Sequence, residues 1–275
     1  MMQTRASLGL WFATAVMILL VTLPIAPLVQ AAASIPGWNA LIAYLFDERA
    51  GTFVRGMGAQ LTLTAVGTVS MTALVLSAGY GLSLLRRIGR MMVGVFFVIP
   101  VVVDGGLIPT YILMRSIGLV DHPLVLVLSE RIDVLLILAA ALVFGRRTTT
   151  TLREAASVDG AHPLSTMAWI VLPAHPQLIT TVVALSALRF WNAWFPAFLF
   201  VHSRALIPAQ NILRSMAFRT ESGVASGVTR AAETAGEPRI ALYALALLLP
   251  GLILVRVFRG AALSALIINS KRGKK

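Results

Sequence analysis

The chain reads as an all-α, polytopic membrane protein of about six transmembrane helices, and three observations carry that reading. Of its 275 residues 58% are hydrophobic and only 12% charged, with a mean hydropathy of +0.86, far from the balance of a soluble domain. Several apolar stretches reach the roughly 20 residues that, at about 1.5 Å rise each, cross a hydrocarbon core of about 30 Å. The basic residues recur in short clusters between those stretches and do not build one basic face. Residues 1–275 are accordingly read as a single transmembrane domain.

The first apolar run, LGLWFATAVMILLVTLPIAPLVQAAA, follows Arg5. Its end, VQAAA, resembles a small-residue cleavage site, but Leu8 to Val29 outruns the roughly 7–15 residues of a signal-peptide core, which favours a retained span. The second run, LTLTAVGTVSMTALVLSAGYGLSLL, is closed by Arg86, Arg87 and Arg90. The third, MMVGVFFVIPVVVDGGLIPTYILM, carries Pro100, Asp104, Gly105, Gly106 and Pro109. Proline removes a backbone donor and paired glycines loosen a helix, so this run is predicted to break near its middle. In lipid such a break is tolerated only against protein or a wet cavity.

The fourth run, PLVLVLSERIDVLLILAAALVFG, contains Glu130, Arg131 and Asp133. Val134 to Gly145 is too short to cross alone, so the span is predicted to extend back through that triplet, which places its charges inside the protein. The fifth run is LITTVVALSALRFWNAWFPAFLFV and the sixth, IALYALALLLPGLILVRVF, runs from Ile240 to Phe258. Between them, from about His202 to Arg239, a Gly-, Ser-, Thr- and Glu-containing segment reads as an irregular external loop with a short helix around Ala209 to Phe218.

Under alternation Arg5, Arg86, Arg87, Arg90, Arg146, Arg147 and Arg153 fall on one face, together with the basic cluster that ends in Lys274 and Lys275. Positive residues mark the cytoplasmic side, so both termini are expected there, in a bacterial cytoplasmic (inner) membrane with lipid around the spans. The net charge of +12 and pI near 11.4 raise nucleic acid as a partner, but no basic face interleaved with aromatics exists, and nucleic acid is excluded. Without cysteine the chain has no disulfide, thiolate metal site or cysteine nucleophile. Its four histidines are scattered without ligand spacing, and no metal site is expected.

Between runs four and five lies REAASVDGAHPLSTMAWIVLPAHP, from Arg153 to Pro176. Glu154, Ala155 and Ala156 favour a helix, Gly160 ends it, and Pro163 opens a second at the first helical position with His162 near the cap. The second piece ends at Leu172-Pro173. Two short helices around a glycine turn make a compact knob suited to docking on a soluble partner; an ordinary helical connection has the same local signature.

The same residues resemble the EAA coupling motif of importer-type ABC permeases: Glu154-Ala155-Ala156, then Asp159-Gly160-Ala161, then Leu172-Pro173. GGLIPTYILMRSIGLVDHPLVLVL, FWNAWFPAFLF and IPAQNILRSM are similar to segments of MalG-type sugar permeases, nearest the aldouronate and complex-oligosaccharide subgroup. Together these cover most of the chain from about Gly105 to Met216. The resemblance implies a MetI-like permease fold, with residues 153–173 as the cytoplasmic coupling segment that fits a cleft on a nucleotide-binding subunit. It also implies four partner chains: a second related permease, two ATPase subunits and an extracellular solute-binding protein. The cargo implied is a sugar or oligosaccharide, an acidic one among the candidates. Two departures stand out. The family often has proline and acidic residues just before EAA, where this chain has GRRTTTTLR, and SERID is unusually charged for a span.

No GxxxxGK[ST] phosphate loop occurs in the sequence, so ATP and its Mg are expected on the partner ATPase and this chain is expected to need no cofactor. No Ser/His/Asp set, HExxH run or carboxylate pair marks it as an enzyme. The rival reading is a secondary transporter using Asp104, Glu130 and Asp133 as an ion path, which would have no need of a coupling segment. Arg189, Trp191, Asn192 and Trp194 are candidates for the substrate path, because aromatic faces stack on sugar rings and Asn and Arg give directional hydrogen bonds. An interfacial anchor is the competing reading for Trp194, packing for Trp191 and Asn192, backbone satisfaction at the break for Asp104, and for Arg189 an internal ion pair with Asp104, Glu130 or Asp133. Glu130, Arg131 and Asp133 are expected to pair with one another or with a partner permease, ahead of touching substrate.

Overall fold

The computed structural model describes residues 25–26, 29–33, 35, 48–103, 105–130, 132–203, 205–225, 238, 240–253 and 256. Most of the first apolar run, the basic C-terminal cluster, Asp104 and Arg131 lie outside the described residues. Among the described residues every regular element is helical.

Helix α1 spans Glu48–Leu84, and its stretch Ala50–Leu84, with a mean hydropathy of 1.7, is long and apolar enough to cross a membrane by itself. The following runs are built from broken helices. The third comprises α2 (Arg87–Val102) and α3 (Leu107–Ser116), parted at the predicted Pro/Gly-rich centre, where Gly106 takes φ 82°. The fourth comprises α4 (Pro123–Leu128) and α5 (Val134–Phe144). Its helix therefore does not continue through the charged triplet, as the sequence reading had it. Asp133 ends the continuity by turning its carboxylate to the amide of Leu136, 3.1 Å away, and so starts a new helix.

Beyond a 68° bend, α6 (Arg147–Val158) leaves α5, and α7 (Pro163–Ala174) leads through a 91° bend into α8 (Pro176–Trp191). Then come α9 (Trp194–Phe200), α10 (Ala209–Ala225) and α11 (Ile240–Ile253). The short helix expected around Ala209 to Phe218 thus exists and runs further.

The chain divides into two compact units, one of residues 1–57 with 209–250, the other of 58–208 with 251–275. In the first, Phe53 stacks on Tyr243 with ring centroids 4.1 Å apart and planes 7° from parallel. In the second, Val75, Val125, Ile137, Phe144, Val171 and Phe190 form a solvent-free core. Burying one such side chain contributes about 1.5–3 kcal/mol, so this core holds the bent helices in place. Large exposed side chains such as Ile88, Met92, Phe96 and Val102 cover α2, the outward apolar surface expected of a helix in lipid.

One loop latch can be tested directly. Asp121, at φ 65°, donates its amide to the carbonyl of Phe200 and accepts from the amides of Ser203 (2.8 Å) and His202 (3.0 Å). Those amide bonds, Ser203 first, hold its carboxyl below the usual aspartate range. A depressed folded-state value means the latch is fully present above the ordinary aspartate pKa of about 3.9 and is lost as pH falls through the lower folded value. Hydrogen exchange should show the His202 and Ser203 amides protected at neutral pH and opening only in strong acid, with Asp121→Asn weakening protection at all pH values. Loss of protection near neutrality in the unaltered chain would contradict this.

Candidate functional site

The segment expected from the sequence to dock on a partner begins without proline. Arg146 is extended, offers no side-chain cap, and the helix starts at Arg147. The threonine run does the local work: Thr150 and Thr151 donate to the carbonyl of Arg147 at 2.7 and 3.0 Å, leaving Thr149 to face inward, fully buried. Two turns later Ala156 is also buried, while Glu154 and Ala155 are exposed. The EAA triplet therefore splits, its last alanine against the protein and its acid outward.

The turn after α6 has full Schellman geometry. Gly160 lies at φ 74°, its amide donates to Ser157 O at 3.1 Å, and the amide of Ala161 reaches back to Ala156 O at 3.0 Å. Asp159 is the exposed cap residue. His162 then caps α7, its Nδ1 accepting from the amide of Leu164 at 3.3 Å with Pro163 in the first turn. These are the turn and cap expected from the sequence. The second piece ends at Ala174, one residue past the expected Leu172-Pro173: a π turn at Met167–Val171 feeds Leu172–Ala174, Leu172 packs against the core and Pro173 is exposed.

Three outward apolar residues escaped the sequence reading. Val158, Leu164 and Trp169 are 87%, 68% and 82% exposed on this hairpin. An isolated tryptophan in a segment of mixed polarity was the available signal. Arg153 was also missed as a strut: it donates to Ser83 Oγ at 3.1 Å and lies 5.9 Å over the ring of Tyr80, so α6 is tied to the end of α1.

Deeper in the same unit, the break between α4 and α5 brings Glu130 and Asp133 onto Arg189. The guanidinium donates to Glu130 at 2.9 Å and lies 3.5 Å from Asp133, with side chains 30%, 14% and 28% exposed for Arg189, Glu130 and Asp133. Arg189 sits in the last turn of α8, where the helix dipole favours a cation. Asp133 does two jobs, one oxygen capping α5 and the other facing the arginine.

The remaining path candidates separate. Trp191 is buried at 5% exposure. Asn192 is exposed at the C-cap of α8 and donates to Leu188 O at 2.8 Å. Trp194 is half-buried, edge-on to Phe195 at 5.4 Å. Gln60, which nothing in the sequence singled out, is fully buried and its Nε2 donates to Trp191 O at 2.8 Å and Phe190 O at 3.3 Å, so α1 caps the end of α8. Its signal was only a lone amide in an apolar helix.

No family model matches the chain. Protein LplC of Bacillus subtilis (strain 168) is 28% identical over 194 residues, 70% of this chain and 65% of that protein. The polygalacturonan/rhamnogalacturonan transport system permease protein YtcP of the same organism is 30% identical over 184 residues, 66% of this chain and 63% of that protein. The matches span just under two-thirds of the length of both relatives. Among solved structures, a chain of a bacterial ABC transporter involved in the import of the acidic polysaccharide alginate superposes with a TM-score of 0.75 at 21% identity, covering 92% of this chain and 95% of that one. The fold is that of an importer-type ABC permease, and the resemblance to permeases of the oligosaccharide subgroup holds.

Proposed function

We propose that this chain is a membrane-spanning permease subunit of an ATP-driven importer that moves a sugar or oligosaccharide, an acidic one foremost, into a bacterial cytoplasm. The observation that carries the reading is the coupling hairpin: a rigid Schellman turn on an importer-type permease fold, tied to α1 by Arg153 and presenting Glu154, Leu164 and Trp169 outward. Exposed apolar side chains on a polar segment are what a cleft on a soluble ATPase would bury. Two ATPase subunits, a second homologous permease and an extracellular solute-binding protein complete the assembly. ATP and Mg bind the ATPases, and this chain is non-catalytic.

An acidic cargo is supported by the names of the relatives, whose polysaccharides include polygalacturonan and alginate. The secondary-transporter reading loses ground because Glu130 and Asp133 are both engaged by Arg189. The decisive experiment reconstitutes the complex with its binding protein and measures ATP hydrolysis against oligogalacturonate and a neutral oligosaccharide of equal length. Stimulation by either sugar supports the importer reading and stronger stimulation by the uronate supports an acidic cargo. Uptake that proceeds without ATP would sink the reading.

Orientation is tested by labelling, which the absence of native cysteine makes clean. Ser157 in α6 and Ser116 at the end of α3 are both exposed. With both termini cytoplasmic, Ser116→Cys should react with an impermeant maleimide in intact cells and Ser157→Cys only after permeabilisation. The opposite pattern would invert the topology.

A further inference from the structure

Both corners of the coupling hairpin meet at one side chain. His175 stands alone between Ala174 and Pro176, at the 91° bend, and Thr149 lies just past the 68° bend after Phe144. Thr149 Oγ is 3.1 Å from His175 Nε2, and His175 Nδ1 is 2.9 Å from the carbonyl oxygen of Val171. Phe144 meets the imidazole edge-on at 5.7 Å, and Phe144, Thr149 and Val171 are fully buried.

The hydrogen-bond logic follows from the bend. In a continuous helix the amide of His175 would serve the Val171 carbonyl, but here it turns to Leu172 O at 3.0 Å. A carbonyl only accepts, so Nδ1 carries the proton that replaces the lost amide. Nε2 then holds a lone pair, and the Thr149 hydroxyl donates to it at 3.1 Å in preference to the Val143 carbonyl, which is further off at 3.5 Å. A β-branched threonine has few rotamers to lose, which suits it to a fixed bond.

We propose that the Thr149–His175 bond is the pin that holds both corners of the hairpin at set angles, and that His175 and Thr149 are positioning residues for the movement passed from the ATPase to the spans. The proposal rests on the permease reading. Without the pin, α6 and α7 keep their helices and their Gly160 turn, but the angles at the two bends loosen, and displacement at the hairpin tip is absorbed before it reaches α5 and α8. The polar atoms of both side chains are engaged at the two corners, with each other and with Val171 O, so their effect is on transmission and not on docking.

The test uses the assembled complex with ATP plus vanadate as the only probe, and spin labels on Ser116→Cys and Ser157→Cys. Thr149→Val keeps the shape and deletes the hydroxyl; Thr149→Ser keeps the hydroxyl; His175→Phe keeps a ring against Phe144. In Thr149→Val the population at the ATP-shifted distance should fall about fivefold, the factor one buried hydrogen bond sets on a two-state equilibrium, and in His175→Phe, which also takes the donor from the Val171 carbonyl, it should fall at least as far. The double variant should be no worse than His175→Phe alone, because once the imidazole is gone the Thr149 hydroxyl has no pin left to make. Thr149→Ser should restore the shift, and ATP hydrolysis should persist throughout. An unchanged shift in Thr149→Val, a Thr149→Ser as poor as valine, or losses that multiply in the double variant overturn the pin. Loss of assembly in Thr149→Val would assign the pair to folding and overturn it as well. No ATP-dependent shift in the unaltered complex would instead sink the permease reading itself.

Discussion

Gly160→Val is expected to cut uptake by the proposed importer about tenfold while the chain still inserts in the membrane. Gly160 sits at φ 74° with open space where a Cβ would project, so the penalty comes from the backbone and not from a clash. Holding a non-glycine residue in that left-handed region costs about 1–2 kcal/mol, a factor of about 5–30 in the turn's equilibrium. Escaping the strain breaks the bonds from Gly160 N to Ser157 O and from Ala161 N to Ala156 O, and with them the angle between α6 and α7. The series should therefore order by backbone tolerance: asparagine near the unaltered chain, alanine lower, valine lowest. Glu154→Ala removes the exposed charge of the hairpin without touching this turn and should reduce ATPase stimulation more than insertion. Full uptake in both Gly160→Val and Glu154→Ala would remove the coupling role from this segment.

The second large effect is at Arg189. An arginine in a span costs about 2.5–3.5 kcal/mol on insertion scales unless a counter-charge meets it, and here two carboxylates do. Arg189→Gln leaves Glu130 and Asp133 facing each other unpaired. The loss should lie between the about 1 kcal/mol of a surface pair and the about 3–5 kcal/mol of a buried one, since all three groups keep some exposure. Lysine should recover only part of it, because one ammonium does not reproduce the guanidinium's fork. Neutralising Glu130 in the Arg189→Gln background should restore yield and thermal stability. A different pattern identifies contact with cargo: with assembly intact, Arg189→Gln would weaken uptake of a uronate oligosaccharide far more than of its neutral analogue. Equal loss for both sugars, with stability rescued by Glu130→Gln, assigns Arg189 to the ion pair.

How much of this was legible in the amino-acid order differs by site. The break at Gly106, the Gly160 turn and the His162 cap were read correctly because each is a local event, decided by a residue with special backbone freedom or a short polar side chain. An arginine inside a span demands a counter-charge, so Glu130 and Asp133 stood with Asp104 among the acids expected to meet Arg189; the choice among them, across 59 residues in the case of Glu130, came from packing. The helix break at Ser129–Asp133 was missed because span length argued for continuity, whereas the Asp133 cap decided otherwise. Thr149 looked like one of four equivalent polar threonines, and Gln60 like a stray amide; burial alone distinguishes them.

By itself the sequence determined the membrane class, the helical content, the order of the apolar runs and the place of the hairpin, since these follow from hydropathy summed over long windows and from residues that act on their own neighbours. Only the tertiary structure decided which polar side chains meet: Arg189 with Glu130 and Asp133, Gln60 with the end of α8, Thr149 with His175. The physical reason is that a buried polar group must find a partner, and the identity of that partner depends on which helix faces pack across the core, a property of distant segments that no local pattern encodes.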